Sequence, residues 1–141
     1  MQKILILSRK KAVRLSYQDM SIDRIIISIS DLDKTHPRFN ENNFSIKGIL
    51  YLYFDDVLNG EPGAMTSNDA EKILNFIKHY YDACEQIVVQ CEAGISRSAG
   101  VAAGICELLN IDNSYIFASE EYVPNKHCYQ KIKDKMEELK K

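Results

Sequence analysis

Long apolar runs are missing from this sequence. No stretch approaches the roughly 20 consecutive apolar residues that a membrane-spanning helix needs. At the N-terminus only four apolar residues follow Met1-Gln2-Lys3, too few for the core of a signal peptide. A strong excess of either charge is missing as well. Eighteen Lys and Arg against 20 Asp and Glu leave a formal net charge of −2, so no global basic field points to nucleic acid or to an anionic membrane as a partner. The four cysteines, Cys84, Cys91, Cys106 and Cys128, form no CxxC pair and no cluster with histidine at metal-ligand spacing, so no metal and no cofactor is expected. His36, His79 and His127 lie far apart in sequence and read as surface or packing residues. Internal repeats, low-complexity tracts and linkers are absent too. What these absences leave is one reduced, cytoplasmic domain of 141 residues, 45% hydrophobic and 27% charged. A chain of that length buries roughly two-thirds of the surface it exposes when unfolded.

Four short apolar stretches predict strands: Lys3 to Ser8, Asp23 to Ser30, Ile46 to Phe54 and Gln86 to Gln90, each rich in β-branched residues or bounded by polar ones. A short helix is expected over Arg9 to Leu15, and a loop from Asp31 to Asn43. Asp55-Asp56 ends the third strand and opens a loop containing Asn59-Gly60 and Pro62-Gly63. Thr66 or Ser67 then caps a helix with Ile73, Phe76, Ile77, Tyr80, Tyr81 and Cys84 on one face, a stripe of helical period. The helix from about Ser98 to Leu109 is apolar or small nearly all round, which predicts burial on most sides. Cys84 and Cys106 read as core residues on helical stripes. Asp112 or Asn113 caps a short helix through Tyr115 and Phe117. Pro124-Asn125 opens the last helix, with an apolar seam of Tyr129, Ile132, Met136 and Leu139 and a solvated face of Lys133, Lys135, Glu137, Glu138 and Lys140. Strands that alternate with helices predict an α/β protein: a central, mainly parallel sheet of about four to five strands flanked by helices.

One stretch carries chemistry. Gln90-Cys91-Glu92-Ala93-Gly94-Ile95-Ser96-Arg97-Ser98-Ala99-Gly100 lies between the fourth strand and the apolar helix. A phosphoryl group has three charged oxygens and needs many donors converging on one point. A loop winding into a helix N-terminus supplies backbone N–H groups, and the helix dipole adds positive potential. Gly94 permits a turn that a Cβ would obstruct. Arg97, on the first helical turn, can grip two oxygens at once. The same positive field favours the nucleophilic thiolate form of a cysteine, which makes Cys91 a candidate for attack on phosphorus. The departing oxygen then needs a proton. Asp55 and Asp56 end a strand at the sheet edge where Cys91 also lies, so either carboxylate is placed to supply it.

Cys91 through Ser98 resembles the Cys-x-x-x-x-x-Arg-Ser/Thr signature of the protein tyrosine phosphatase superfamily. The chain as a whole resembles the compact dual-specificity branch, from about residue 22 to 139. An Ile/Val-rich strand enters the loop, Ala93-Gly94 precedes Ser96-Arg97-Ser98, and a small apolar helix follows. Phe54-Asp55-Asp56 is similar to the Phe-x-Asp acid loop of small members, and Pro124-Asn125 opening a final helix fits the same pattern. The resemblance implies Cys91 as nucleophile, Arg97 as phosphate clamp and Ser98 as donor to the Cys91 sulfur. It further implies that the amides of Glu92, Ala93, Gly94, Ile95, Ser96 and Arg97 bind phosphate. Asp56, two residues after Phe54, fits the general acid better than Asp55. The expected partner is a phosphorylated protein or small phosphomonoester, with phosphate, sulfate or vanadate as the site's anion.

Two features depart from the pattern or narrow it. The family usually has histidine before the cysteine; this chain has Gln90. Within the loop Arg97 is the one cation, and Glu92 is acidic, which argues against a polyanionic substrate such as a phosphoinositide. The alternatives are a phosphate-binding module without turnover, disabled by Gln90 and an unsuitable acid loop, and a rhodanese-like sulfur transferase, which Arg97-Ser98 in register disfavours. Cys91 read alone is a small buried hydrophobe, and Asp56 read alone is a turn or cap residue.

Overall fold

The computed structural model describes residues 2–140. Four strands, β1 (Lys3–Ser8), β2 (Arg24–Ser30), β3 (Ile46–Tyr53) and β4 (Gln86–Cys91), make one sheet in the order β1-β4-β2-β3, with every neighbouring pair parallel. The helices are α1 (Arg9–Gln18), α2 (Ser67–Tyr80), α3 (Arg97–Leu109), α4 (Ser114–Ala118) and α5 (Lys126–Leu139). The α/β architecture with a parallel sheet is as the alternation of elements predicts. Central strands of such sheets are covered on both faces and so read as continuous apolar runs; β2 and β4 are buried at every position. Ile25, Ile27 and Ile29 of β2 share a core with Ile73 and Ile77 of α2, Ile105 of α3 and Ile132 of α5. Their neighbours Ile26 and Val88 cluster instead with Ala12 of α1 and with Phe39. Helices therefore lie on both faces.

Local chemistry starts the helices. Thr66 and Asp69 form a reciprocal capping box at α2, satisfying two amides that would otherwise have no partner. Asn125 caps α5 by accepting from the Cys128 amide at 3.0 Å. In α3 every residue from Arg97 to Cys106 is buried, and small side chains let α5 approach. A Cβ on Gly104 would stand 2.8 Å from Ile132 Cβ, and one on Gly100 would collide with the carbonyl oxygen of Asn125.

Three expectations are corrected. Helix α2 ends at Tyr80, and a single 3₁₀ turn (Tyr81–Ala83) leads to Cys84 in extended conformation. Cys84 is buried, though not as part of a helical stripe, while Tyr81 is 41% exposed. Lys135, expected on the solvated face of α5, is buried, and its ammonium reaches out to Glu138 at 3.1 Å, a stem buried beneath a wet head group. Leu139, expected in the seam, is 53% exposed. Among the described residues no helix is long and apolar enough to cross a membrane.

Gly100→Ala should lower stability by about 1–3 kcal/mol in urea denaturation, the cost of forcing a methyl group into a packed contact. An undiminished midpoint would mean that α3 and α5 have slack at this crossing.

Candidate active site

Cys91 is the last residue of β4 and Arg97 the first of α3, so the candidate loop spans the C-terminal edge of the sheet. Its shape follows from where its carbonyls go. A trans peptide plane points its C=O and its N–H in opposite directions. The Glu92 carbonyl accepts from the Arg9 amide at 3.1 Å, that of Ile95 from Val123 at 3.0 Å, and that of Ser96 from Asn125 and Gly100, each at 2.9 Å. With those oxygens held on the outside, the amides of Ala93, Ser96 and Arg97 turn to the inner side of the loop. Among the described residues, the N–H groups of Ala93, Gly94, Ile95 and Ser96 have no protein acceptor. Gly94 closes the bend at φ +71°, where a Cβ would lie 2.6 Å from the Leu7 carbonyl carbon, so the left-handed turn and the close approach both require glycine.

The side chains complete the cradle. Cys91 is 2% exposed, and its Sγ is hydrogen-bonded to Ser98 Oγ at 3.0 Å. When the sulfur is a thiolate, only the hydroxyl can donate. Arg97 is 6% exposed. Its Nη1 donates to Asp31 Oδ1 at 2.7 Å and to the Phe54 carbonyl at 2.9 Å. A buried guanidinium needs such partners, and using Nη1 for them leaves Nε and Nη2 without a protein acceptor among the described residues. Glu92, Ala93 and Ile95 are exposed at the rim.

The two adjacent carboxylates have different partners. Asp56 Oδ1 accepts from Ser96 Oγ at 2.8 Å and from Asn125 Nδ2 at 2.9 Å, which brings this side chain to the loop. Asp55 Oδ1 accepts from the Leu32 amide at 3.1 Å, and its backbone N–H donates to the Gly63 carbonyl at 2.8 Å. Asp55 braces the 55–63 loop from behind. Gln90 is fully buried on the α1 side of β4 and accepts from Ser28 Oγ through Oε1. Its Nε2 has no partner among the described residues. An unmet buried amide costs about 1–3 kcal/mol.

Two contacts at this site are not visible in the sequence. Asp31 was placed in a featureless loop, although its position directly after β2, at the same sheet edge, was a usable signal. Asn125 stands out in the sequence only as the residue that opens the last helix in the family pattern; its hydrogen bond to Asp56 is not readable there.

No protein-family model matches the sequence, and neither does any curated protein. Solved structures do. Human DUSP28 aligns at 15% identity with a TM-score of 0.64, over 97% of this chain and 93% of that one. The human tyrosine phosphatase-like serine/threonine/tyrosine-interacting protein aligns at 19% identity and 0.61, over 95% and 87%. PTPMT1 in complex with PI(5)P aligns at 16% and 0.60, over 98% and 92%. At such identities the likeness establishes the fold: the chain has the protein tyrosine phosphatase fold in its small, dual-specificity form.

Asp31→Ala should destabilise the unliganded protein by about 2–3 kcal/mol. That is less than the roughly 3–5 kcal/mol for a fully buried pair, because the Asp31 side chain is 28% exposed. Vanadate, by giving Arg97 a new counter-charge, should restore part of the loss, and thermal melts with and without vanadate measure both.

Proposed function

We propose that this protein is a cysteine-dependent phosphomonoester hydrolase of the protein tyrosine and dual-specificity type, acting through a phosphocysteine on Cys91. The observation that carries the reading is the Cys91–Ser98 hydrogen bond at 3.0 Å beneath a ring of amides without protein acceptors. In the first step the thiolate attacks phosphorus in line, the S–P bond forms and the ester P–O bond breaks. Asp56 gives its proton to the departing oxygen. In the second step the Asp56 carboxylate takes a proton from water as that water attacks phosphorus. The P–S bond breaks, and the sulfur leaves as a thiolate stabilised by the Ser98 hydroxyl. Arg97 and the amides from Glu92 to Arg97 hold the equatorial oxygens throughout. One residue serves as acid and then as base, as a two-step displacement requires.

The substrate class follows from the charges. One fixed cation, half neutralised by Asp31, and an acidic Glu92 at the rim suit a single phosphomonoester on a protein or a small molecule. The same fold in PTPMT1 holds PI(5)P, so the preference rests on this chain's loop residues and not on the architecture. A second reading, a phosphate- or phosphopeptide-binding pseudophosphatase, is favoured by one observation: the buried, unpartnered Nε2 of Gln90, the residue before Cys91 in β4.

Hydrolysis of an aryl phosphate should be abolished in Cys91→Ser and reduced by about 10³-fold or more in Arg97→Ala. In Asp56→Asn it should fall by about 10²–10⁴-fold, while Asp55→Asn affects stability more than rate. Wild-type binding of vanadate with no turnover would select the pseudophosphatase instead.

The other thiols provide a contrast. Burial pushes Cys106 up to about 11 and Cys84 in the same direction. Burial, with Asp56 adding to it, pushes Cys128 up to about 12. A raised value keeps the proton on sulfur, so at pH 7 these three stay unreactive thiols. Iodoacetamide at pH 7 should therefore label Cys91 selectively, vanadate should protect it, and peptide mass spectrometry reads the site. Comparable labelling of Cys128 would remove the contrast.

A further inference from the structure

β1 lies at one end of the sheet and pairs only with β4. The Lys3 N–H donates to the Glu85 carbonyl at 3.0 Å. In a parallel ladder alternate residues bond to the neighbouring strand, so Lys3, Leu5 and Leu7 point their N–H and C=O groups at β4. Ile4 and Ile6 turn theirs to the outside, where nothing bonds them among the described residues. Natural proteins blunt such edges with proline, bulges or charge. β1 has no proline, pairs without a bulge and carries its single charge at Lys3.

This open edge is the floor of a groove of about 690 Å³. Lys11 of α1 stands on one side of it, and Tyr115, Glu121 and Tyr122 stand on the other. The groove runs up to Ile95, which is 43% exposed at the cradle rim. Unpaired strand groups select an extended backbone, which adds to a sheet through main-chain hydrogen bonds. Side chains of an added strand alternate between its two faces. The two walls carry opposite charges, Lys11 and Glu121, and neither forms an ion pair among the described residues. A segment in which acidic and basic residues alternate therefore complements both walls. A second copy of the chain does not. Antiparallel pairing of two β1 edges about a two-fold axis normal to the sheet keeps each wall on its own face, so like charge meets like. We propose that the free edge of β1 takes an extended segment of a phosphoprotein substrate as an added strand. Its acidic side chains face Lys11, its basic ones face Glu121, and the adjoining phosphorylated residue enters the cradle.

The proposal rests on the phosphatase reading, and the test separates the two. The probe is a phosphotyrosine peptide with about four alternating Glu and Lys residues on each side, enough to pair along β1. Its control has the same side chains with every flanking amide N-methylated, which removes the main-chain donors. Wild-type kcat/KM should be at least about tenfold higher for the probe than for the control. Lys11→Glu and Glu121→Lys, both on exposed positions, should each lower the ratio of probe to phenyl phosphate kcat/KM by about threefold or more. In Cys91→Ser, which binds without turnover, the probe should slow hydrogen exchange at the Ile4 and Ile6 amides, and the control should not. Equal kcat/KM for probe and control, with Ile4 and Ile6 unprotected, would overturn the docking edge and leave the phosphatase reading intact. Concentration-dependent dimerisation that protects the same amides without peptide would overturn it in favour of a second copy. Protection by the probe with no wild-type hydrolysis of any ester would support the docking edge and overturn the phosphatase reading.

Discussion

A peptide plane cannot turn its carbonyl and its amide to the same side, and the loop after β4 is built on that constraint. Three of its carbonyls are tied down by amides from elsewhere: Arg9 at the start of α1, and Val123 and Asn125 ahead of α5. Each tie is an ordinary hydrogen bond, worth about 0.5–1.5 kcal/mol net. Their joint effect is to commit the opposite edge of each plane to the inner side, where the N–H groups wait without partners. The rest of the molecule can be read as what holds those three anchors in place: β1 carries α1 to the sheet edge, and the packing of α5 on α3 fixes the 123–125 segment.

Charge is handled with similar economy. Arg97 is too buried to stand alone, and Asp31 with the Phe54 carbonyl takes one side of its guanidinium. Asp31 is shared with Lys34 at 3.6 Å, so it offsets the Arg97 charge only in part, and the loop amides and the α3 terminus add to the positive potential. Such a site discriminates by shape and by donor geometry. The proposed preference for a single phosphomonoester rests on Arg97 being the one cation within the loop. The two aspartates after Phe54 divide their work in the same way. Asp55 is spent on the Leu32 amide, and only Asp56 is directed at the cradle.

What was legible in the sequence is what is local in the chain. Cys91, Gly94, Arg97 and Ser98 sit within eight residues, so strand, turn and helix signals coincide with the chemistry. Asp56 could be reached because strand ends in a parallel sheet share an edge. Asp31 and Asn125 were hidden behind competent local roles, a loop aspartate and a helix cap, since nothing in sequence spacing reports what the other half of a side chain touches. The corrections have a similar origin. A 3.6-residue stripe continued arithmetically past Tyr80 although the backbone had already tightened into a 3₁₀ turn. The charge of Lys135 predicts solvation, whereas its four-carbon stem is buried and only its ammonium reaches out to Glu138.

Position 90 follows from the same reasoning. Its side chain lies on the α1 face of β4, sealed from solvent, in a strand whose other face carries Cys91. Whatever stands there must satisfy Ser28 and fill the space without adding charge. Gln90 does so with one end and leaves Nε2 unmet. An apolar side chain of similar volume would remove the unmet amide but leave the buried Ser28 hydroxyl without its acceptor, at about 1–3 kcal/mol. Among the described residues Gln90 Nε2 and Ser30 Oγ are the two buried side-chain polar atoms without a partner, both near the sheet edge that carries the loop, and natural proteins keep such local inconsistencies at sites where something other than stability is being set.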